Sequence, residues 1–377
     1  MTNSNVLSQQ LVDRPADEHF SNMQEFLASA KESKDTSTEL TIDTNTLRFA
    51  ADEDTFGITL AATGDGIFPL TRHALEKANK ILGYDLNLLS RLTTKTVINS
   101  LNELWEARNT MRGKTKVLLQ TKNNTAIIRD IREESYNLAF DYDYYSMLNE
   151  FMPNGMKPAI PTINKRPTDK PALFRGDRDS MCFFSTEKDN GGNVDLGGRR
   201  MGKKAWNSEV QNRSIGYEKM IFRDMCGNFI IWGYQADTKK RKYHTQGDAK
   251  FANFYSDTKR YLIEMDDALN PDMTKIMEDA MRKPFTAQNG KYNQDTKEQA
   301  IDKLREIFKQ RMSKGFATDI VEATTLPQNA NQTGDPELSF WTISNGLTWA
   351  GKNSKFASDI ESAARMAGDL LTLSTKP

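Results

Sequence analysis

The chain has 377 residues, of which 37% are hydrophobic and 27% charged, and its 51 Lys and Arg balance 51 Asp and Glu. This describes a soluble globular protein with a sizeable core, in one large domain or two, and excludes a wholly disordered chain and a uniformly basic nucleic-acid coat. No apolar run approaches the ~18 residues of a membrane span. The start, Met1-Thr2-Asn3-Ser4-Asn5, lacks a secretion signal, and the two cysteines, Cys182 and Cys226, fit a reducing cytoplasm better than a disulfide framework.

Charge is segregated along the chain. Residues 1–40 hold seven acidic and three basic side chains, whereas residues 199–213 hold five basic and one acidic. The first 40 residues read as an acidic, weakly ordered arm with a short helix around Glu18–Lys31. Thr41–Phe49 and Phe56–Ala61 read as strands around an acidic turn. Thr71 is a helix N-cap, followed by Ala74, Leu75, Ala78, Ile81 and Leu82 at helical spacing and stopped by Gly83. Further helices are expected at Asp85–Leu92 and Lys95–Arg108.

Lys116–Thr121 and Ala126–Arg132 are expected to pair as a hairpin across Lys122-Asn123-Asn124, because Asn tolerates positive φ. A helix at Tyr142–Phe151 precedes a proline-spaced connection. Met181–Ser185, Ser214–Arg223 and Phe229–Tyr234 read as strands. Helices follow at Gly247–Leu269, Asp272–Lys283, Asp295–Met312 and Ser354–Leu373, with a polar loop at Gln328–Pro336. The resulting class is α+β: a mainly antiparallel sheet with helices packed on one face and a helical C-terminal part. Its divisions are the arm 1–40, a core 41–245 and a helical region 246–377.

Signals for catalysis are weak. His19, His73 and His244 are far apart, no C-x-x-C is present, and neither G-x-S-x-G nor a phosphate-binding G-K-[ST] loop occurs. No cofactor or resident metal is expected. Asp177, Asp179 and Glu209 are the carboxylates that a metal-dependent nuclease would use.

The stronger feature is basic. Arg199, Arg200, Lys203, Lys204 and Arg213 surround Trp206, with Tyr217 just after and a second run at Lys239, Lys240, Arg241 and Lys242. Basic side chains neutralise phosphates, and an aromatic face can stack on a base for about 1–3 kcal/mol. These residues form the candidate nucleic-acid contacts, opposed by the plainer reading of solvated loops and a core tryptophan. Asn207, Ser208 and Glu209 begin a strand in this reading, and Glu209 could fix an arginine of the basic loop.

Trp206-Asn207-Ser208-Glu209-Val210, then Ser214-Ile215-Gly216, then Cys226-Gly227-Asn228 resemble the domain of unknown function 932 family, whose members are carried by phages, plasmids and integrative elements. Its pattern runs N-S-E-V-G and C-T-N-G, so Gln211 and Gly227-Asn228 depart from it. Phe68-Pro69-Leu70-Thr71-Arg72-His73-Ala74, Leu82-Gly83-Tyr84, Ile131-Arg132 with Tyr136, and Trp341-Thr342-Ile343-Ser344-Asn345-Gly346-Leu347-Thr348 are similar to other segments of the family, so the match spans about residues 40–370. The resemblance implies Asn207, Ser208, Glu209, Gly216, Cys226 and Asn228 as motif positions. A more distant similarity to phage single-strand annealing proteins of the RecT and Redβ kind implies a helix-supported sheet with a basic groove. The function expected is a phage- or plasmid-encoded, cytoplasmic, homo-oligomeric protein that holds single-stranded DNA in recombination or replication without covalent chemistry. The alternatives are a metal-dependent nuclease and a structural or anti-defence protein working through protein contacts.

Overall fold

The computed structural model describes residues 15–52, 56–60, 66–83, 92–107, 113–152, 156–160, 162–163, 166–167, 170–186, 199–223, 228–231, 239–242, 244, 248–264, 271–326, 338–352, 354 and 356–375. The chain opens with β1 (Glu18–His19) and α1 (Met23–Asp35), whose N-cap Asn22 accepts the Glu25 N–H at 2.8 Å. β2 (Ser37–Asp43), β3 (Leu47–Ala51), β4 (Phe56–Leu60) and β5 (Ile67–Pro69) follow. β2 and β3 were expected as one strand. A 3-10 turn at Thr44–Thr46, held by the Asp43 carboxylate on the Asn45 N–H, sends them instead into different sheets.

The expected helix after Thr71 is α2 (Arg72–Leu82). Thr71 Oγ1 caps the Ala74 N–H, and Gly83 takes the left-handed C-cap at φ 71°. α3 (Thr94–Ala107) comes next, and the expected helix at Asp85–Leu92 falls largely outside the described residues. β6 (Lys114–Lys122) and β7 (Thr125–Glu133) form the expected hairpin, with Asn123 and Asn124 both at positive φ in the two-residue turn. α4 (Asp141–Phe151), β8 (Met156–Pro158), the pair β9 (Thr162–Ile163) and β10 (Arg166–Pro167), β11 (Leu173–Arg175) and β12 (Ser180–Thr186) lead to the basic segment.

That segment is itself a strand, β13 (Arg199–Asn207), and Asn207–Val210 end it rather than begin one. β14 (Ile215–Arg223), β15 (Asn228–Ile231) and β16 (Lys239–Lys242) complete the strands. Helices α5 (Asp248–Glu264), α6 (Pro271–Arg282), α7 (Gln294–Phe308), α8 (Lys314–Ala323), α9 (Phe340–Lys352) and α10 (Ala357–Ser374) complete the chain. None of the described helices is long and apolar enough to cross a membrane. The expected loop at Gln328–Pro336 lies outside the described residues.

The fold is α+β with antiparallel sheets. The large sheet runs β1-β11-β12-β13-β14-β15, with β8 also on β12 and β16 also on β14; two smaller sheets are β2-β6-β7 and β3-β4-β5. Side chains alternate faces along a strand. Cys182, Phe184, Ala205, Ile215 and Tyr217 therefore share one face of the large sheet, packed with Phe26 of α1, Tyr144, Tyr145 and Leu148 of α4, and Phe254 of α5. Met181, Phe183, Trp206 and Met220 lie on the other, against Ala357, Ile360 and Ala364 of α10. α5 thus packs with the sheet, and the helical part with a core of its own begins at α6 rather than at residue 246.

One expectation changes for a physical reason. The arm expected to be weakly ordered is docked from Asp17 to Asp35, because Phe26 and Ala30 are fully buried and Phe26 meets Tyr145 edge-on at 4.8 Å. α9 shows no amphipathic stripe because Phe340 through Thr348 are buried on every side. Gly346 permits its close passage, since a Cβ there would stand 2.4 Å from the Ile320 carbonyl oxygen.

Truncating Phe26 tests whether α1 belongs to the core. Phe26→Ala is expected to cost about 3–5 kcal/mol in denaturant unfolding, and a loss below about 1 kcal/mol would return α1 to a peripheral arm.

Candidate functional site

The β13 residues of the first basic run and the second run, 35 or more residues apart, flank the same strand. β14 pairs on one side with β13, where Lys204 faces Glu218 and Trp206 faces Gly216. On the other side it pairs with β16, where Lys239 faces Glu218, Lys240 faces Tyr217, Arg241 faces Gly216 and Lys242 faces Ile215. At ~4.8 Å per strand, β13 and β16 lie ~10 Å apart. Arg199 and Arg200 sit at the far end of β13, in register with Arg223 and Phe222.

Within this sheet, several residues expected to touch nucleic acid are buried. Lys203, Lys204, Trp206 and Tyr217 are each less than 5% exposed. Tyr217 packs with Ala205 under α1 and α4, and Trp206 packs under α10, so neither ring offers a free face for a base. Lys204 lies 4.3 Å from the Trp206 ring centroid, 2.8 Å from Glu218, and is hydrogen-bonded to Glu361 of α10. Arg213 reaches Glu361 at 2.6 Å and Asp179 at 3.2 Å, while Arg365 reaches Glu218 at 2.7 Å and Glu361 at 3.0 Å. Three cations and three carboxylates thus neutralise one another beneath α10. Burial lowers the Lys204 pKa against the pull of Glu361 and Glu218. For Glu361, burial pushes upward but Lys204 and Arg213 outweigh it, holding the carboxyl far below its ordinary range. In this arrangement Lys203, Lys204, Trp206 and Tyr217 are parts of the interior, which corrects their assignment as direct contacts.

The Asn207–Val210 turn is a hub of buried hydrogen bonds. Asn207 Nδ2 donates to Ala139 O at 2.8 Å and to Asp141 Oδ1 at 2.9 Å. Ser208 Oγ donates to Arg178 O at 2.7 Å and accepts the Asn212 N–H at 2.9 Å, which closes the turn. Ser208 O accepts the Tyr136 hydroxyl at 3.0 Å. The Glu209 carboxylate binds Arg129 at 2.6 Å, Arg175 at 3.3 Å and the Asp141 N–H at 3.0 Å; its carbonyl accepts from Arg132 at 2.9 Å. Glu209 therefore fixes arginines of β7 and β11, not one of the basic run. Val210 O lies 2.6 Å from His73 Nε2.

These contacts also account for two of the three carboxylates considered as metal ligands. Asp179 is buried beside Arg213 and Asn212, and Glu209 beside Arg129 and Arg175. Burial raises the Glu209 carboxyl, but Arg129 and Arg175 outweigh it and hold it low. Burial and then Glu209 push Asp141 up to about 6. Among the described residues no group of three His, Cys, Asp or Glu is placed to hold a metal ion. Cys226 lies outside the described residues, Asn228 begins β15 opposite Arg223, and Gly216 accepts the Tyr144 hydroxyl at 2.8 Å.

Sequence reasoning did not single out Arg129, Asp141, Glu361 or Arg365 as members of this centre. For β7 a signal existed: Arg129, Asp130 and Arg132 interrupt a run of isoleucines, and charges in such a run require buried partners. For Glu361 and Arg365 the i,i+4 spacing marks only their pairing with each other, because their partners Arg213 and Glu218 lie more than 140 residues away. Comparison with family models, curated proteins and solved structures finds no match to this chain.

Glu209→Gln is expected to cost about 3–5 kcal/mol in urea unfolding, because Arg129 and Arg175 would lose their shared counter-charge. A cost below about 1 kcal/mol would remove Glu209 as the hub. The buried histidines make a second prediction. Burial lowers His73 and His244 to about 4. The unfolded chain takes up these protons near pH 6.5 and the native state does not, so stability is lost as pH falls from about 6.5 towards 4. Each histidine should cost about 2 kcal/mol between pH 7 and pH 5, while Asp141, shifted upward, should return about 1 kcal/mol. Denaturant melts at the two pH values check this. His73→Gln, which keeps an N–H donor for Val210, should remove half of the histidine effect; an unchanged pH dependence would contradict the assignment.

Proposed function

We propose that the chain binds single-stranded DNA through the β13–β14–β16 part of its large sheet, in recombination or replication and without covalent chemistry. The observation that carries this reading is the pairing of β16 alongside β14. It sets Lys239, Lys240, Arg241 and Lys242 beside residues 215–218 of β14, with Lys219 next along that strand and Arg199, Arg200 and Arg223 at its far end, where β15 is the neighbour. Glu218 is the one carboxylate on these three strands, and it is committed to Lys204 and Arg365. A phosphate backbone is the polyanion that a row of cations on adjacent strands fits. Without free aromatic faces at Trp206 and Tyr217, the contact is electrostatic and independent of base sequence.

The turn geometry supports the resemblance to the domain of unknown function 932 family. Gln211 stands at φ 58°, a left-handed conformation that glycine adopts without strain, and the resembling pattern has glycine there. Lys77 Nζ binds the Gln211 carbonyl at 3.2 Å and its Oε1 at 3.1 Å, which compensates for the missing glycine. Phage or plasmid carriage, a cytoplasmic site of action and self-assembly follow from that resemblance and belong to the proposal. The metal-dependent nuclease has less support, since Asp179 and Glu209 already have guanidinium partners that a cation would have to displace.

A labelled oligo-dT titration across ~50–300 mM salt tests the reading. Log affinity should fall linearly with log salt, and replacing Lys239 and Lys240 by Ala should flatten the slope by ~1.4, at ~0.7 per phosphate contact. No binding at ~50 mM salt would end the proposal.

A further inference from the structure

We propose that α10 is an internal counter-ion for this sheet: Glu361 occupies cations that a phosphate would otherwise take, and bound DNA competes with it. The inference rests on the DNA-binding reading above. Lys204 and Arg213 come from β13 and the turn after it, Glu361 from a helix near the end of the chain, and they meet in one ionic cluster. Arg213 hydrogen-bonds Glu361 through Nη2 and lies 3.2 Å from Asp179 through Nε, and among the described residues neither its buried Nε nor its buried Nη1 has a hydrogen-bond partner. A guanidinium with an unused N–H that already binds two carboxylates has the geometry to accept a phosphate in place of one of them.

The construction of α10 makes the contact separable. Its first half meets the sheet through Ala357, Ile360 and Ala364, whereas its second half, with Leu370 and Leu371, belongs to the core of the helical unit. α9 and α10 also lie against β15 of the large sheet, so the contact for which DNA would compete is the one made by the first half of α10. The first turn is pinned from outside by Asp17, whose carboxylate accepts the Ala357 N–H at 2.8 Å. Asp17 thus offers a way to loosen α10 without touching any of the cations.

The experiment compares wild type, Glu361→Gln, Asp17→Asn and Glu278→Gln as full chains in oligo-dT titrations at several salt concentrations. Far-UV circular dichroism checks the folding of each. Glu278 is exposed on α6 and controls for the change of one unit in net charge. Glu361→Gln should bind ~3- to 10-fold tighter with a slope steeper by ~0.7–1.4, as one or two further phosphates are engaged. Asp17→Asn should move the same way by a smaller factor, and Glu278→Gln should stay within twofold of wild type. Folded Glu361→Gln and Asp17→Asn proteins that bind no tighter than wild type overturn the inference while leaving DNA binding intact. A Glu361→Gln chain that cannot fold leaves Asp17→Asn to decide, and failure of both to fold also overturns it, since the contact would then be obligatory. Failure of every protein, wild type included, to bind at ~50 mM salt ends both readings.

Discussion

The Glu209 carboxylate, lodged between Arg129 of β7 and Arg175 of β11, is the point at which separate parts of the chain become one structure. Arg129 belongs to the three-stranded sheet and also binds Ser33 of α1; Arg175 belongs to the large sheet and also binds Asp141 at the start of α4. Glu209 receives the Asp141 N–H as well, so a single buried side chain orients two sheets and two helices. Removing such a charge from water costs several kcal/mol, which is recovered only when its lone pairs are satisfied. Here two guanidinium groups and a backbone N–H meet that condition. The turn that presents Glu209 also fixes the end of β13, and hence the register in which the basic strands run.

A second ionic cluster repeats the logic on the other side of the sheet. Lys204, Arg213 and Arg365 face Glu218, Glu361 and Asp179, a balanced set that joins α10 to β13 and β14. The two clusters divide the basic residues of the central strands into distinct groups. Lys204 and Arg213 are matched by carboxylates in the cluster beneath α10. The β16 residues lie on a neighbouring strand that contributes no carboxylate. Zero net charge over the whole chain is therefore compatible with a local cationic surface, because many of its charges are spent in pairs.

Local signals in the sequence were legible where chemistry acts over a few residues. Thr71 and Gly83 bracket α2, and Asn123-Asn124 turn the β6–β7 hairpin, because caps and positive-φ turns depend on single side chains. Elements decided by distant partners were not legible. β13 is rich in charge and reads as a loop, yet it is a strand because Lys204 finds Glu361 and Trp206 finds α10. α9 mixes Trp, Thr, Ser and Asn without a face, since it is surrounded. The Asn207-Ser208-Glu209 motif was recognisable as a unit, but its role as a hub required arginines from β7 and β11, elements away in the chain.

Lysine acetylation footprinting, with and without saturating oligo-dT at low salt, tests directly whether the basic residues divide into structural and binding groups. Lys204 is expected to stay unmodified in both states, while Lys239, Lys240 and Lys242 are modified in free protein and protected by DNA. Reactive Lys204 in free protein, or β16 lysines whose modification DNA does not change, would contradict it.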